Sequence, residues 1–164
     1  MERVILRDPT IADAPALVRC SEDPLTQRFT TIPANYTEKM AHDWIASPRP
    51  NTHRWVICDS QDASFQGAID IRVIDSHRGN IGYHVSPWAR GRGRASAALE
   101  LVKERARELG LTHLELEARE DNLASRRVAE KCGFTQTGSR PDERAPEFQL
   151  ITYELQLSQE ASGR

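Results

Sequence analysis

The sequence predicts an α+β fold built on one mixed sheet, and three observations lead to this prediction. Apolar residues recur at helical spacing in some segments and alternate with polar residues in others. Three strand-like segments in the middle of the chain are joined by polar turns, which indicates an antiparallel meander. After the meander, helical and strand-like segments alternate without an internal repeat.

In the N-terminal part, a strand is predicted over 4–6 and a helix over 12–20. Asp8-Pro9-Thr10 interrupts the strand and supplies a side chain that can cap the helix. The polar segment 24–36, which contains two prolines, is predicted to be a loop. Thr37 is typical of an N-cap, and the helix after it has four apolar residues on one face. These residues are Met40, Ala41, Trp44 and Ile45.

The meander is predicted from strands over 55–58, 65–75 and 81–85. A long helix with apolar residues at helical intervals follows and ends at Gly110, a suitable C-terminal capping residue. The remaining elements are a strand over 114–118, a helix over 123–131 that Gly133 closes, and a strand over 148–157.

Length and composition indicate one domain over 1–164, in which 158–164 is expected to be a disordered tail. A chain of 164 residues with 38% hydrophobic residues can bury one substantial core.

Its 22 basic and 24 acidic residues nearly cancel, so a general nucleic-acid binder is disfavoured. No apolar run approaches the roughly 18 residues of a membrane span, and no metal site is expected because the three cysteines are widely spaced. These features favour a cytoplasmic protein with reduced thiols.

The most informative stretch, 85–95, lies between a predicted strand and the long helix and combines glycines with arginines. Helix-start amides carry partial positive charge, and glycines allow a phosphate to approach them closely. Three arginines add full charges and bidentate donors. The stretch therefore predicts a loop that binds the phosphates of a cofactor.

Three other interpretations compete for this loop. It could be an exposed turn whose arginines serve solubility, which is a common role of basic runs. A dinucleotide fingerprint would need an early βαβ unit, whereas a meander comes first here. An RNA contact would require repeats with interleaved aromatic residues over a longer stretch. A P-loop is excluded because no GxxxxGK[ST] motif occurs.

Two spaced motifs give the chain a resemblance to the GNAT superfamily of N-acetyltransferases. Arg90-x-x-Gly93-x-Ala95, after a strand that ends in Val85-x-Pro87, is similar to its acyl-CoA signature. Asn122-x-x-Ser125 with 130–134 is similar to its downstream helix. The N-terminal half further resembles the RimJ/RimL branch of ribosomal-protein N-terminal acetyltransferases. That likeness rests on Leu6-Arg7, Asp13-Ala14, Asp23-Pro24, Tyr36-Thr37 and Trp44-Ile45.

The resemblance implies a GNAT-type fold in which the strands matching 81–85 and 114–118 splay apart and hold the pantetheine arm of acetyl-CoA between them. The backbone of Val85 would contact that arm, and Asn122 would bond it, although Asn122 is equally suited to cap a helix. By the same resemblance, the pyrophosphate would be held by the backbone amides of the glycine-arginine loop. These amides belong to Arg90, Gly91, Arg92, Gly93, Arg94 and Ala95.

Proton transfer in such enzymes needs a donor to the leaving thiolate and an acceptor for the amine proton. Ala129 occupies the position where many superfamily members have a tyrosine, so Ser125 is the expected donor, with a capping role as its alternative. His84 and Glu117 are the expected bases, and both could instead be ordinary strand residues. Glu115, on the same strand and face as Glu117, is an alternative to it, and Asp70, Glu143 and Glu147 are remoter candidates. A water chain without a single base is the remaining alternative.

The leading function is transfer of an acetyl group from acetyl-CoA to a primary amine, either a protein N-terminus or a small molecule. The alternative is a GNAT-fold module that binds acyl-CoA without turnover, and a nucleotide- or RNA-binding domain is a third hypothesis. The acceptor pocket is expected in loops 24–36 and 138–147, whose composition identifies no substrate. The expected partners are acetyl-CoA and the amine, without nucleic acid or membrane. A homodimer is expected from the apolar final strand and the resemblance.

Overall fold

Seven strands and five helices make up residues 3–158, the part of the chain that the computed structural model describes. The strands are β1 (Val4–Arg7), β2 (Thr52–Asp59), β3 (Phe65–Val73), β4 (Arg78–Val85), β5 (His113–Arg119), β6 (Thr135–Asp142) and β7 (Ala145–Gln156). The helices are α1 (Ala14–Ser21), α2 (Pro24–Phe29), α3 (Glu38–Ala46), α4 (Arg94–Glu108) and α5 (Leu123–Lys131).

One sheet contains all seven strands in the order β1-β2-β3-β4-β5-β7-β6. Neighbouring strands are antiparallel except for β4 and β5, which are parallel. The predicted α+β class with a mixed, mostly antiparallel sheet is confirmed.

The parallel pair is joined over only part of its length. Pairing runs from Arg78 opposite His113 to Ile81 opposite Leu116, although β4 continues to Val85 and β5 to Arg119. We call the unpaired region beyond Ile81 and Leu116 the fork. The fork is the only interruption between neighbouring strands at the centre of the sheet in residues 3–158.

The two sides of the sheet bury separate apolar clusters, because side chains alternate along each strand. On the side that we call the α4 face, Ile81 and Leu116 pack with Leu99 and Val102 of α4. The opposite side, the α1 face, is covered near β2 by α1 and α3. Its cluster contains Leu17, Ala41, Val56 and Cys58.

Local capping signals agree with the predicted helix ends. The Thr37 hydroxyl accepts a hydrogen bond from the Met40 amide at 3.2 Å and begins α3. Gly110 and Gly133 follow α4 and α5 with φ of +80° and +87°, the left-handed region that favours glycine.

Two elements were missed by the sequence analysis. The predicted loop 24–36 contains α2, which Asp23 caps by accepting from the Thr26 amide at 2.8 Å. The segment 135–142 forms β6, an edge strand whose residues are exposed up to Pro141 and therefore show no apolar alternation. Because β6 covers β7, the apolar final strand is used inside the sheet. The homodimer expectation thus rests on the family resemblance alone.

The predicted tail at 158–164 falls outside the described residues except for Ser158. None of the helices in 3–158 is both long and apolar enough to cross a membrane.

Candidate active site

The glycine-arginine loop leads directly into α4, as the sequence predicts. Gly91 and Gly93 have φ of +76° and +73°, and Gly93 is the residue that precedes the first turn of α4. A Cβ atom placed on either glycine would meet no atom within 4 Å. The space above both residues is therefore open, and the amides at the start of α4 can be reached by an anion.

The three arginines of this loop have different surroundings. The guanidinium of Arg90 bonds Asp23 at 2.6 Å and lowers the pKa of that carboxyl. Arg94 is 6% exposed, bonds Asp59 at 2.8 Å and also donates to the carbonyl of Arg3. Arg92 is exposed and has no ion-pair partner within residues 3–158. The guanidinium groups of Arg90 and Arg94 therefore make internal ion pairs, and the contribution of all three arginines to phosphate binding stays a prediction.

A pair of hydroxyl groups lies on the α4 face of the fork. Tyr83, from β4, and Ser125, from the first turn of α5, place their hydroxyl oxygens 2.7 Å apart. Burial raises the pKa of Tyr83 to about 12, so the phenol keeps its proton at neutral pH. Sequence analysis selected Ser125 and missed Tyr83. The alternation of side chains along β4 would have indicated Tyr83, because it directs Tyr83 and His84 to opposite faces of the sheet.

The residues around this pair explain two features of α5. Ala129, at the position where a tyrosine was expected, is fully buried in the core on the α4 face. The Asn122 side-chain oxygen accepts from the Ser125 amide at 3.2 Å, so Asn122 is the N-cap of α5. The capping alternative for Asn122 is thus observed, while its side-chain nitrogen Nδ2 makes no hydrogen bond within residues 3–158.

His84 and Asp70 lie together on the α1 face of the fork. In the β3–β4 register, Ala68 is opposite His84 and Asp70 is opposite Gly82, so the two side chains are diagonal neighbours. His84 Nε2 is buried without a hydrogen-bond partner. Burial, assisted by the charge of Arg90, lowers the pKa of His84 to about 4. His84 is therefore neutral at physiological pH and has a free ring nitrogen.

Asp70 projects over Gly82, the first β4 residue inside the fork. A Cβ atom on Gly82 would lie 3.4 Å from Asp70 Oδ1. Burial raises the pKa of Asp70, and no cationic side chain forms an ion pair with it within residues 3–158. The glycine thus leaves a notch beside a carboxyl group that has no internal counter-ion.

The two β5 carboxylates are held by arginines, Glu117 by one on β6, across β7, and Glu115 by one on the adjacent β4. Both oxygens of Glu117 accept from Arg140 of β6 at 2.8 Å. Glu115 accepts from Arg78 at 3.0 Å and from Asn80 at 3.4 Å. Neither carboxylate is free to accept a proton without losing these contacts. Glu143 and Glu147 lie exposed at the β6–β7 hairpin.

Helix α2 and the residues after it connect the two arms of the fork. Its capping residue Asp23 binds Arg90, beyond the end of β4, and Arg28 binds Asp121, beyond the end of β5, at 2.6 Å. Arg144 of the β6–β7 hairpin donates to the Thr30 carbonyl. The segment therefore lies across the outer end of the fork.

No group of His, Cys, Asp and Glu in residues 3–158 has an arrangement that could hold a metal ion. The arrangement can bind an anion at the start of α4, donate protons on one face of the fork and accept them on the other.

Comparison with known proteins agrees with this arrangement. The profile of the acetyltransferase (GNAT) domain matches residues 3–135. No curated protein matches the sequence significantly.

Solved structures with a similar fold include three named acetyltransferases. A spermidine N-acetyltransferase from Vibrio cholerae, in complex with CoA and spermine, has a TM-score of 0.84 at 14% identity, with 96% of this chain and 97% of that chain covered. RimL, a ribosomal L7/L12 alpha-N-protein acetyltransferase in complex with CoA, has a TM-score of 0.82 at 20% identity, with 96% of each chain covered. The microcin C7 self-immunity acetyltransferase MccE, in complex with acetyl-CoA and AMP, has a TM-score of 0.79 at 16% identity, with 95% and 93% covered. At these identities the likeness establishes a shared fold.

Proposed function

The chain belongs to the GNAT acetyltransferase family, and from this premise we propose that it transfers an acetyl group from acetyl-CoA to a primary amine at the fork. The observation that supports the proposal best is the position of the fork. It opens beside an anion-accessible helix start, with proton donors on one face and proton acceptors on the other.

In this proposal the pyrophosphate of acetyl-CoA binds the amides of residues 90–95, and Arg92 supplies the one free guanidinium of the loop for a further phosphate. The pantetheine arm enters the fork, where the backbone of Val85 has no β5 partner. The side-chain nitrogen Nδ2 of Asn122 has no partner within residues 3–158 and is available to donate to the arm. These assignments retain the residues that the sequence predicts, with Arg90 and Arg94 contributing their backbone amides while their guanidinium groups hold Asp23 and Asp59.

The amine then attacks the thioester carbonyl from the α1 face. Its C–N bond forms, the C–S bond breaks with the electron pair moving to sulfur, and the amine proton passes to an acceptor. His84 supports this role because its neutral ring has an unpartnered nitrogen, and Asp70 is a second candidate. Glu117 is less suited, since both of its oxygens are occupied by hydrogen bonds from Arg140. Ser125 donates the proton to the thiolate.

Two classes of acceptor remain within the proposal, a protein N-terminal α-amine and a small-molecule amine. The RimJ/RimL-like motifs favour the first, and the notch beside Asp70 suits an amine that arrives as an ammonium ion. We further propose that the protein acts in the cytoplasm as a homodimer, an assembly that light scattering over a wide concentration range would test.

A non-catalytic acyl-CoA-binding module is the second candidate, because Ala129 replaces the tyrosine that many family members use. The Tyr83–Ser125 pair argues against it, since two hydroxyl groups are present at the fork without that tyrosine. A thiol-release assay over an amine panel that includes peptides with different N-terminal residues separates the two. Binding of acetyl-CoA without turnover of any amine would favour the module.

Cofactor binding is tested by isothermal titration of acetyl-CoA with a matched pair of variants at Gly93. Asp and Asn both tolerate the left-handed conformation and are nearly equal in size, so they differ in charge. Gly93→Asp should abolish measurable binding by repelling the phosphates, whereas Gly93→Asn should retain it with weaker affinity. Equal affinities for the two folded variants would refute the placement of the phosphates at this helix start.

A further inference from the structure

We propose that Tyr83 is the positioning residue that directs the Ser125 hydroxyl toward the leaving thiolate, so that the two hydroxyl groups act as one proton-donating unit. The inference rests on the proposed function, in which Ser125 is the donor. It goes beyond it by assigning a role to a residue on a different element, β4, that lies 42 positions away in the sequence.

The hydrogen-bond pattern leaves little freedom to the pair. The Ser125 amide is used by Asn122, and the Ser125 hydroxyl has Tyr83 as its single partner within residues 3–158. Tyr83 in turn has Ser125 as its single side-chain partner in the same range. If Tyr83 donates to Ser125, the seryl hydrogen has no acceptor inside the protein and can point into the fork.

Tyr83 is the expected donor of the two, because a phenol is a stronger hydrogen-bond donor than an aliphatic hydroxyl. Its phenol is packed against the core on the α4 face, and burial raises the pKa of Tyr83 to about 12, so it holds its hydrogen throughout the neutral range. The other titratable group that contributes from this side is Cys132, a buried thiol whose pKa is also raised by burial. Neither group brings a charge to the hydroxyl pair at neutral pH, so the orientation of the pair is set by hydrogen bonding alone.

The chemical benefit of the pair is that no seryl alkoxide has to form. As the C–S bond breaks, sulfur takes the Ser125 hydrogen while the Ser125 oxygen takes the hydrogen of Tyr83. A water molecule then protonates the Tyr83 oxygen, and the hydroxide so formed combines with the proton that the amine releases on the α1 face. The electron pair of the C–S bond stays on sulfur until sulfur is protonated, and each oxygen ends with one hydrogen, as it began. Hydrogen bonds in such chains also strengthen one another.

The test compares Tyr83→Phe, Ser125→Ala and the double variant, with Tyr153→Phe as the matched control. Tyr153 is fully buried in the same cluster and its hydroxyl accepts from Arg126 at 3.0 Å, so the control removes a buried phenol oxygen that makes no hydrogen bond to Ser125. Single-turnover rates, acetyl-CoA affinity, melting temperature and proton inventories in mixtures of light and heavy water are measured for each protein.

Ser125→Ala should lower the single-turnover rate about 10²-fold, the usual effect of losing a general acid. Tyr83→Phe should lower it about 10-fold, the factor associated with one hydrogen bond, without a change in acetyl-CoA affinity. The double variant should match Ser125→Ala, because Tyr83 acts through Ser125. In the proton inventory, the plot of wild-type rate against the deuterium fraction of the solvent should be curved, because two protons move. The same plot for Tyr83→Phe should be linear.

A normal rate in Ser125→Ala would refute the donor role in the proposed function. A slow Ser125→Ala with a normal Tyr83→Phe would refute the positioning role alone, as would an equal loss of rate in Tyr153→Phe. The inventory of the wild-type protein is independent of how well any variant folds, and a linear wild-type inventory would overturn the two-hydroxyl unit by itself.

Discussion

Acid should destabilise this protein through His84, and replacement of the imidazole should remove that part of its acid sensitivity. An unfolded histidine has a pKa near 6.5, whereas burial and the charge of Arg90 lower the pKa of His84 to about 4 in the folded protein. Between these values the unfolded chain binds a proton more readily than the folded chain. The stabilisation is therefore complete above about pH 6.5 and is lost as the pH falls toward 4.

The size of the effect follows from the shift. The difference between 6.5 and about 4 is 2.5 pKa units, and at 1.36 kcal/mol per unit this corresponds to about 3 kcal/mol of unfolding free energy. That is a large fraction of the stability of an ordinary domain, which is about 5–15 kcal/mol. Carboxylates such as Asp23 and Asp121, whose pKa values are lowered by arginine partners, add their own acid sensitivity.

Urea unfolding at a series of pH values from 4 to 7.5 isolates the histidine term. The difference in unfolding free energy between the wild type and His84→Gln should change by about 3 kcal/mol across this range. His77→Gln is the matched control, because it removes an imidazole from an exposed position. A wild-type minus His84→Gln difference that does not vary with pH would refute the view that His84 is buried and neutral.

Three further predictions concern charges at the site. Arg92→Ala should weaken acetyl-CoA binding about 10-fold in titration calorimetry without lowering the melting temperature, because its guanidinium is the free one of the loop. Arg94→Ala should instead reduce unfolding free energy by about 2–3 kcal/mol in urea, since it leaves the partly buried Asp59 without its cation, and an unchanged midpoint would contradict this role. Asp70→Asn should raise the melting temperature at neutral pH, because burial penalises the charged carboxylate, and should lower turnover of cationic amines in the thiol-release assay. A variant with lower stability and normal turnover would remove Asp70 from the acceptor side.

The fold was largely predictable because its main signals are local. The meander, the capped helix α3, the glycine-arginine start of α4 and the limits of α5 all depend on residues that are close in sequence. Helix α2 also has a local signal, Asp23 followed by Pro24, which the polar composition of the segment obscured. Strand β6 has none, since an exposed edge strand lacks an apolar pattern, and its existence follows only from pairing with β7.

The site was predictable where one segment builds it and unpredictable where distant segments meet. The open glycines of the loop were foreseen from their positions. The sequestration of Arg90 and Arg94 depends on Asp23 and Asp59, which come from separate elements. Tyr83 meets Ser125 only because β4 and α5 lie side by side in the folded chain. Contacts of this kind are products of topology, and no spacing rule in the sequence reveals them.

The placement of the donors and acceptors on opposite faces of the sheet has a consequence for the order of events in turnover. A donor thioester and an amine that meet through the fork must be bound at the same time, so initial-rate plots should show intersecting lines. A ping-pong scheme would need a nucleophile to carry the acetyl group, and Cys20, Cys58 and Cys132 are all buried thiols whose pKa values are raised. This arrangement therefore predicts a ternary complex of the protein, acetyl-CoA and the amine. A compound that joins CoA to the amine by a short covalent linker would then occupy both faces of the fork at once.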